Sequence, residues 1–141
     1  IRPEVFNHNL ETVPRLYPLV RPQADYRRSL DLISYASRAG LIAKSGLMVG
    51  LGEEMEEIKQ VMADLKKAGC RILTVGQYLA PSQEHLPVAR FWEESEYQDL
   101  KTYGEQILGL DAVVAGPAVR SSYLAYQTYQ TITNFKQEAP A

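Results

Sequence analysis

A parallel α/β architecture, with strands joined by helical crossovers, is the fold class this sequence predicts. Three observations carry it. Short apolar runs rich in Val, Ile and Leu alternate with stretches of helical period, glycines punctuate the junctions, and the order strand then helix recurs three times along the chain. Three such units make either half of a six-unit open barrel or a small doubly wound sheet, and periodicity does not choose between them.

Residues 4 to 8 read as the first strand. Pro14, Pro18 and Pro22 then forbid a continuous helix over 9 to 24. Asp25 caps a helix in which Tyr26, Leu30 and Ile33 share one face, and Gly40 sits where a left-handed residue ends it. A second strand spans 43 to 50 and ends in glycines. From Glu53 to Ala68 the apolar positions Met55, Ile58, Met62 and Leu65 trace an amphipathic helix stopped by Gly69, with acid at its start and Lys66-Lys67 at its end to suit the helix dipole. A third strand, Arg71 to Gly76, leads into a long loop marked by Pro81 and Pro87. The third helix runs from about Ser95 to Leu108, with Tyr97, Leu100 and Ile107 as its buried positions, and Asp111 to Ala115 is one further extended run. Only the tail after about Gln137 reads as disordered.

Composition narrows the function classes. A chain of 141 residues, 45% hydrophobic and 23% charged, buries a real core. Its net charge of −2 argues against a surface that tracks nucleic-acid phosphates. No apolar run approaches the roughly 18 residues that span a bilayer, so the expected setting is the cytoplasm or an organelle matrix. The single cysteine, Cys70, makes no internal disulfide and agrees with a reducing compartment. The chain opens on a strand-like segment without a starting Met, as a chain cut inside a fold would.

Gly50 and Gly52 lie between a strand and a helix, where dinucleotide-binding proteins seat a pyrophosphate. The third glycine of that pattern is Met55 here, and Glu53, Glu54, Glu56 and Glu57 crowd the first helical turns, where they repel phosphate. A neutral adenosine or a cation suits the site better; alternatively these glutamates are a solvated face that serves the helix dipole. Ordinary roles stand beside the functional ones elsewhere. His8 and His85 are too few for a metal site without other ligands and read as hydrogen-bonded structural residues. Arg28 either grips a carboxylate or faces solvent; Tyr78 and Tyr123 are candidate core aromatics; Cys70 reads as a small buried residue; Ser121 and Ser122 in isolation make a turn or helix cap.

Longer strings carry a resemblance. They are Val5 to Tyr17 (VFNHNLETVPRLY), Lys44 to Glu53 (KSGLMVGLGE), Gly76 to Leu79 (GQYL), His85 to Val88 (HLPV) and Arg120 to Tyr123 (RSSY). With these, the chain resembles the C-terminal half of the lipoyl synthases, within the radical S-adenosylmethionine superfamily, over nearly all its length up to about Ala125. The resemblance implies the C-terminal part of a partial (β/α)6 barrel of TIM type over residues 1 to 125, with a C-terminal helix or tail over 126 to 141.

It also implies a site. Gly46, Met48, Gly50 and Glu53 match the superfamily's GxIxGxxE strand beside the adenine of S-adenosylmethionine, with Met48 in place of Ile. Asn7, Asn9 and Glu11 fall near the ribose or methionyl part, Gln77 and Tyr78 beside the adenine, and Arg28 on a cofactor carboxylate. One of Ser121 and Ser122 would be the unusual oxygen ligand of an auxiliary 4Fe-4S cluster and thus a catalytic and metal-site residue, with Arg120 and Tyr123 holding the segment. The implied activity is insertion of two sulfur atoms into a protein-bound octanoyl chain, using S-adenosylmethionine and two 4Fe-4S clusters whose cysteines lie, in the family, upstream of this chain's start. On that reading this chain alone is inactive. The implied partners are an octanoylated lipoyl carrier domain, from a 2-oxoacid dehydrogenase or the glycine cleavage H protein, and an electron donor such as ferredoxin or flavodoxin.

Ala118, Leu124 and Arg71 depart from the usual pattern, which has Leu, His and Asp there. None carries an implied cofactor role. A biotin-synthase-like sulfur inserter would share the glycine strand but not RSSY, and a catalytically empty half-barrel acting as a binding module is the other alternative.

Overall fold

The computed structural model describes residues 4–120, so the expectations placed on Ser121, Ser122, Tyr123 and the segment 126 to 141 lie outside the described residues. Four strands, β1 (Val5–Asn7), β2 (Ile42–Val49), β3 (Ile72–Gln77) and β4 (Ala112–Gly116), form one sheet in the order β1-β2-β3-β4. Every neighbouring pair is parallel. A sheet whose order follows the chain without reversal advances in one direction at each crossover, whereas a doubly wound sheet must turn back. The strand order therefore settles the alternative that periodicity left open, in favour of a barrel arc.

Alternation along the strands divides the sheet into two faces. Ala43, Leu47, Val49, Leu73, Val75 and Val113 join the main core with Leu30 and Ile33 of helix α2 (Tyr26–Arg38), after the short helix α1 (Tyr17–Val20), and with Ile58, Met62 and Leu65 of α3 (Met55–Ala68). Tyr97 and Leu100 of α4 (Glu94–Thr102) complete it. The opposite, concave face carries Ile42, Ile72 and Ala112 as a separate small cluster, and above it Gly46, Met48, Thr74 and Gly76.

Each helix end has a local cause. Asp25 accepts a hydrogen bond from the Arg28 N–H at 2.9 Å and starts α2. Glu54 and Glu57 form a capping box at the start of α3, and Gly69, at φ +102°, ends it. Pro18 is tolerated in α1 because it lies in the first turn, whose N–H groups have no helical partner.

The last helix differs from expectation. After Thr102 the chain widens into a π turn, Tyr103–Ile107, closed by a Leu108 N–H to Tyr103 carbonyl bond of 2.9 Å. The wider turn slips the helical phase, so Ile107 is 71% exposed rather than buried. Gly104 takes the inward place instead, and a Cβ there would meet Met62 Cε at 2.8 Å.

Candidate functional site

In a parallel α/β sheet the strands end on open loops at their C-terminal side, and ligand sites collect there. A cavity of about 190 Å³ lies at that end on the concave face, lined by Asn9, Glu11, Gly46, Leu47, Met48, Thr74, Gly76, Gln77, Leu79, Val119 and Arg120. It gathers Asn9, Glu11, Gly46, Met48, Gln77 and Arg120 from the residues singled out in the sequence. Asn7, Arg28, Gly50, Glu53 and Tyr78 do not line it.

The first wall is the loop after β1. Glu11 holds a left-handed backbone, φ +72°, unusual for a residue with a side chain. The surroundings fix it: its N–H donates to the Gly46 carbonyl at 3.0 Å, and its own carbonyl accepts from the Met48 N–H at 2.8 Å. Arg21 braces the loop from outside, donating to the Asn9 and Leu10 carbonyls at 3.1 and 3.2 Å. Asn9 Oδ1 is buried and has no hydrogen-bond partner. An acceptor left this way in a cavity wall is suited to a ligand donor. Asn7 instead points to the layer beneath, where the Lys44 ammonium donates to its Oδ1 at 3.5 Å. Lys44 is 2% exposed, and that burial pulls its pKa below the ordinary lysine value.

The second wall is β2 and its turn. A Cβ on Gly46 would stand 2.9 Å from both Asn9 Oδ1 and Thr74 Oγ1, so glycine there keeps space open between two polar atoms. Gly50 serves another purpose. Its φ is +99°, and a side chain would run into the Gln77 amide and, at 2.6 Å, the Arg90 carbonyl. Glu53, 4% exposed, folds back to accept from the Gly50 N–H at 2.8 Å and the Leu51 N–H at 3.2 Å. The end of the glycine strand is thus a braced turn packed against its neighbours. Glu54 and Glu57 are spent on the capping box, and Glu57 also pairs with Arg15 at 2.8 Å.

The third wall is the end of β3. Gln77 uses both ends of its amide within the chain: Nε2 donates to the Tyr78 and Arg90 carbonyls, each at 3.0 Å, while Oε1 accepts from the Trp92 N–H at 3.0 Å and the Tyr97 hydroxyl at 3.4 Å. It pins the long loop to the strand. Tyr78 does the same from its other side, donating its hydroxyl to the Leu86 carbonyl at 2.7 Å. Arg120 curls over the rim and donates from Nη1 to the Val119 carbonyl at 2.7 Å and the Gln77 carbonyl at 3.4 Å. A Cβ on Gly76 would strike the Val119 carbonyl, so that glycine lets the segment after β4 cross the strand ends.

The remaining singled-out residues have local explanations. Arg28 is exposed at the start of α2. His8 meets the Ser29 hydroxyl at 3.0 Å, and burial, then the Arg21 charge, lowers its pKa. His85 Nδ1 lies 2.8 Å from the Ser82 hydroxyl in the exposed loop. Cys70 is buried, its thiol pKa pushed up to about 12 by that burial. Arg71 pairs with Asp111 at 2.6 Å. Among the described residues no group of three or more His, Cys, Asp or Glu comes together as a metal site. Sequence reading missed Thr74, Leu79, Val119 and Arg21. Thr74 was within reach, since it lies two residues before Gly76 and so on the same face of one strand; the other three depend on how loops cross.

No protein-family model matches the chain. Individual relatives do. A lipoyl synthase of Acidithiobacillus ferrooxidans is 55% identical over 132 residues, which is 92% of this chain and 41% of that protein. One of Rubrobacter xylanophilus is 53% identical over 128 residues, 89% of this chain and 40% of that protein. One of Hahella chejuensis is 56% identical over 125 residues, 87% of this chain and 37% of that protein. The chain thus spans about two fifths of the length of the curated relatives it matches. Identity of this order along almost the whole chain, on a barrel arc with its cavity at the strand ends, places the chain in the lipoyl synthase family.

Proposed function

We propose that this chain is the C-terminal part of a lipoyl synthase barrel, and that its cavity holds part of the S-adenosylmethionine used for sulfur insertion into a protein-bound octanoyl chain. The observation that carries this reading is the buried, unpartnered Asn9 Oδ1 facing the space above Gly46. A polar wall with an open acceptor at Asn9, a carboxylate at Glu11, a guanidinium at Arg120 and no phosphate-binding helix end fits an adenosyl group with its charged methionyl end. Its volume, about 190 Å³, suits one portion of the cofactor, with the other walls belonging to the rest of the full-length protein.

When bound and reduced, S-adenosylmethionine supplies the radical that removes hydrogen from unactivated carbon. The chain's own work is to bind, orient and exclude water. Asn9 and Glu11 accept hydrogen bonds from the nucleoside or its methionyl end, Met48 offers an apolar contact to the base, and Leu79 and Val119 shield the cavity mouth. The described residues do not fit a four-iron cluster, because such a cluster takes several thiolates and Cys70 is a single buried thiol away from the cavity wall. The octanoylated carrier domain and an external electron donor belong to the same proposal.

The test is equilibrium S-adenosylmethionine binding to the full-length enzyme. Asn9→Leu removes the open acceptor at similar volume and should weaken binding about tenfold, in the range expected for a ligand donor left unpaired. Unchanged affinity would remove the cavity from the cofactor site. To separate lipoyl synthesis from other sulfur insertion, Ser121→Ala and Ser122→Ala are compared in single-turnover assays. Loss of lipoyl product with retained S-adenosylmethionine cleavage in one of them is the expected result.

A further inference from the structure

Thr74 belongs to no motif in the sequence, yet it lines the cavity. It stands on the concave face of β3, opposite Gly46 in the strand register, and is 3% exposed. Its hydroxyl has no hydrogen-bond partner among the described residues. A valine has the same shape and would fill the strand position, whereas threonine sets a hydroxyl on the cavity. Across the register, Asn9 Oδ1 is also without a partner, and the missing side chain of Gly46 leaves both oxygens 2.9 Å from one point in space. Two unpaired polar atoms converging on a gap that only glycine leaves open form a two-point hydrogen-bonding site.

We propose that Thr74 is a contact residue for the nucleoside of the bound cofactor, its hydroxyl acting with Asn9 Oδ1 on a neutral donor group seated above Gly46. This rests on the reading of the cavity as the S-adenosylmethionine site. The ligand chemistry follows from the atoms present: Asn9 Oδ1 only accepts, a threonine hydroxyl accepts or donates, and neither carries charge. A ribose hydroxyl or the amino edge of adenine satisfies both; a carboxylate or phosphate would face the Asn9 oxygen unfavourably.

The experiment uses the full-length enzyme and measures S-adenosylmethionine affinity by equilibrium dialysis, with thermal melting of each variant as a folding control. Thr74→Val should bind about fivefold more weakly or worse, the loss of one neutral hydrogen bond. Thr74→Ser should stay within about twofold of the unaltered enzyme because it keeps the hydroxyl. Thr74→Ala runs beside the valine variant, so that a misfolded valine variant does not end the test. Repeating the measurement with S-adenosylmethionine analogues lacking the ribose 2′ or 3′ hydroxyl identifies the partner. A Thr74→Val loss that disappears with one analogue assigns the contact to that hydroxyl, and a loss that persists with both assigns it to the base. Full affinity in Thr74→Val and Thr74→Ala overturns the proposal. If the unaltered enzyme itself binds no S-adenosylmethionine, the reading of the cavity fails and this inference with it, a result distinct from a failure of Thr74 alone.

Discussion

Glu53 shows how a residue's neighbours decide its role. In the sequence it is one of four glutamates around a helix start, and a solvated carboxylate serving the dipole is a natural reading. In the structure it is nearly fully buried and accepts from the Gly50 and Leu51 N–H groups. Burial raises its pKa above the ordinary 4.5, and the backbone N–H bonds offset that only in part. The folded state therefore holds the Glu53 proton to higher pH than the unfolded chain does. Between 4.5 and the raised value the folded state binds more protons, so stability falls as pH rises through that window and is level above it. Glu53→Gln should abolish this slope, and at neutral pH should cost about 1 kcal/mol for the weaker brace on the turn. Denaturant unfolding at a series of pH values reads both effects; an unchanged slope in the variant would mean that Glu53 is not its source. What made Glu53 illegible was the fold-back itself, which depends on φ values at Gly50 and Gly52 that no periodicity encodes.

At the scale of elements, the short helix α1 was hidden by the prolines around it, while the strands and the helices α2 and α3 were legible to within a residue or two because each has a local cause: Asp25 at the start of α2, Gly69 at the end of α3, and the run Ile72, Leu73, Val75 in β3. The end of α4 was not, since a π turn is set by what it packs against. Its consequence is an edge. Lys101 and Glu105, paired at 2.8 Å, reach the outer side of β4, where the Glu105 carboxylate accepts from the Val113 N–H at 2.9 Å and Lys101 donates to the Val113 carbonyl at 2.9 Å. Both backbone groups that an added strand would need at this position are taken, a device that protects a sheet edge from pairing with another chain. Replacing Lys101 and Glu105 together by Ala should lower stability by about 1–2 kcal/mol and speed hydrogen exchange at the Val113 amide. A Val113 amide that exchanges at the same rate in the variant would show that the pair does not cap the edge.

For the molecule as a whole, the two edges of the sheet are unlike. The β4 edge is capped at Val113, while β1 lies at the other edge with Val5 36% exposed. On either side of β1 the Glu4 carbonyl accepts from the Ile42 N–H and the His8 N–H donates to the Lys44 carbonyl, which fixes the alternation of a parallel pair. Val5 and Asn7 therefore direct their N–H and carbonyl groups away from β2. Among the described residues only the β4 edge carries such a cap, which leaves the β1 edge as the one open to a further strand, and the match covers 41% of a relative's length. In a full-length lipoyl synthase carrying this segment, a strand paired to β1 should protect the Val5 and Asn7 amides from hydrogen exchange by orders of magnitude relative to the isolated chain. The Val113 amide should exchange alike in both, because its cap is internal. Fast exchange at Val5 and Asn7 in the full-length protein would mean that the sheet does not continue past β1, and the barrel reading of this arc would fall with it.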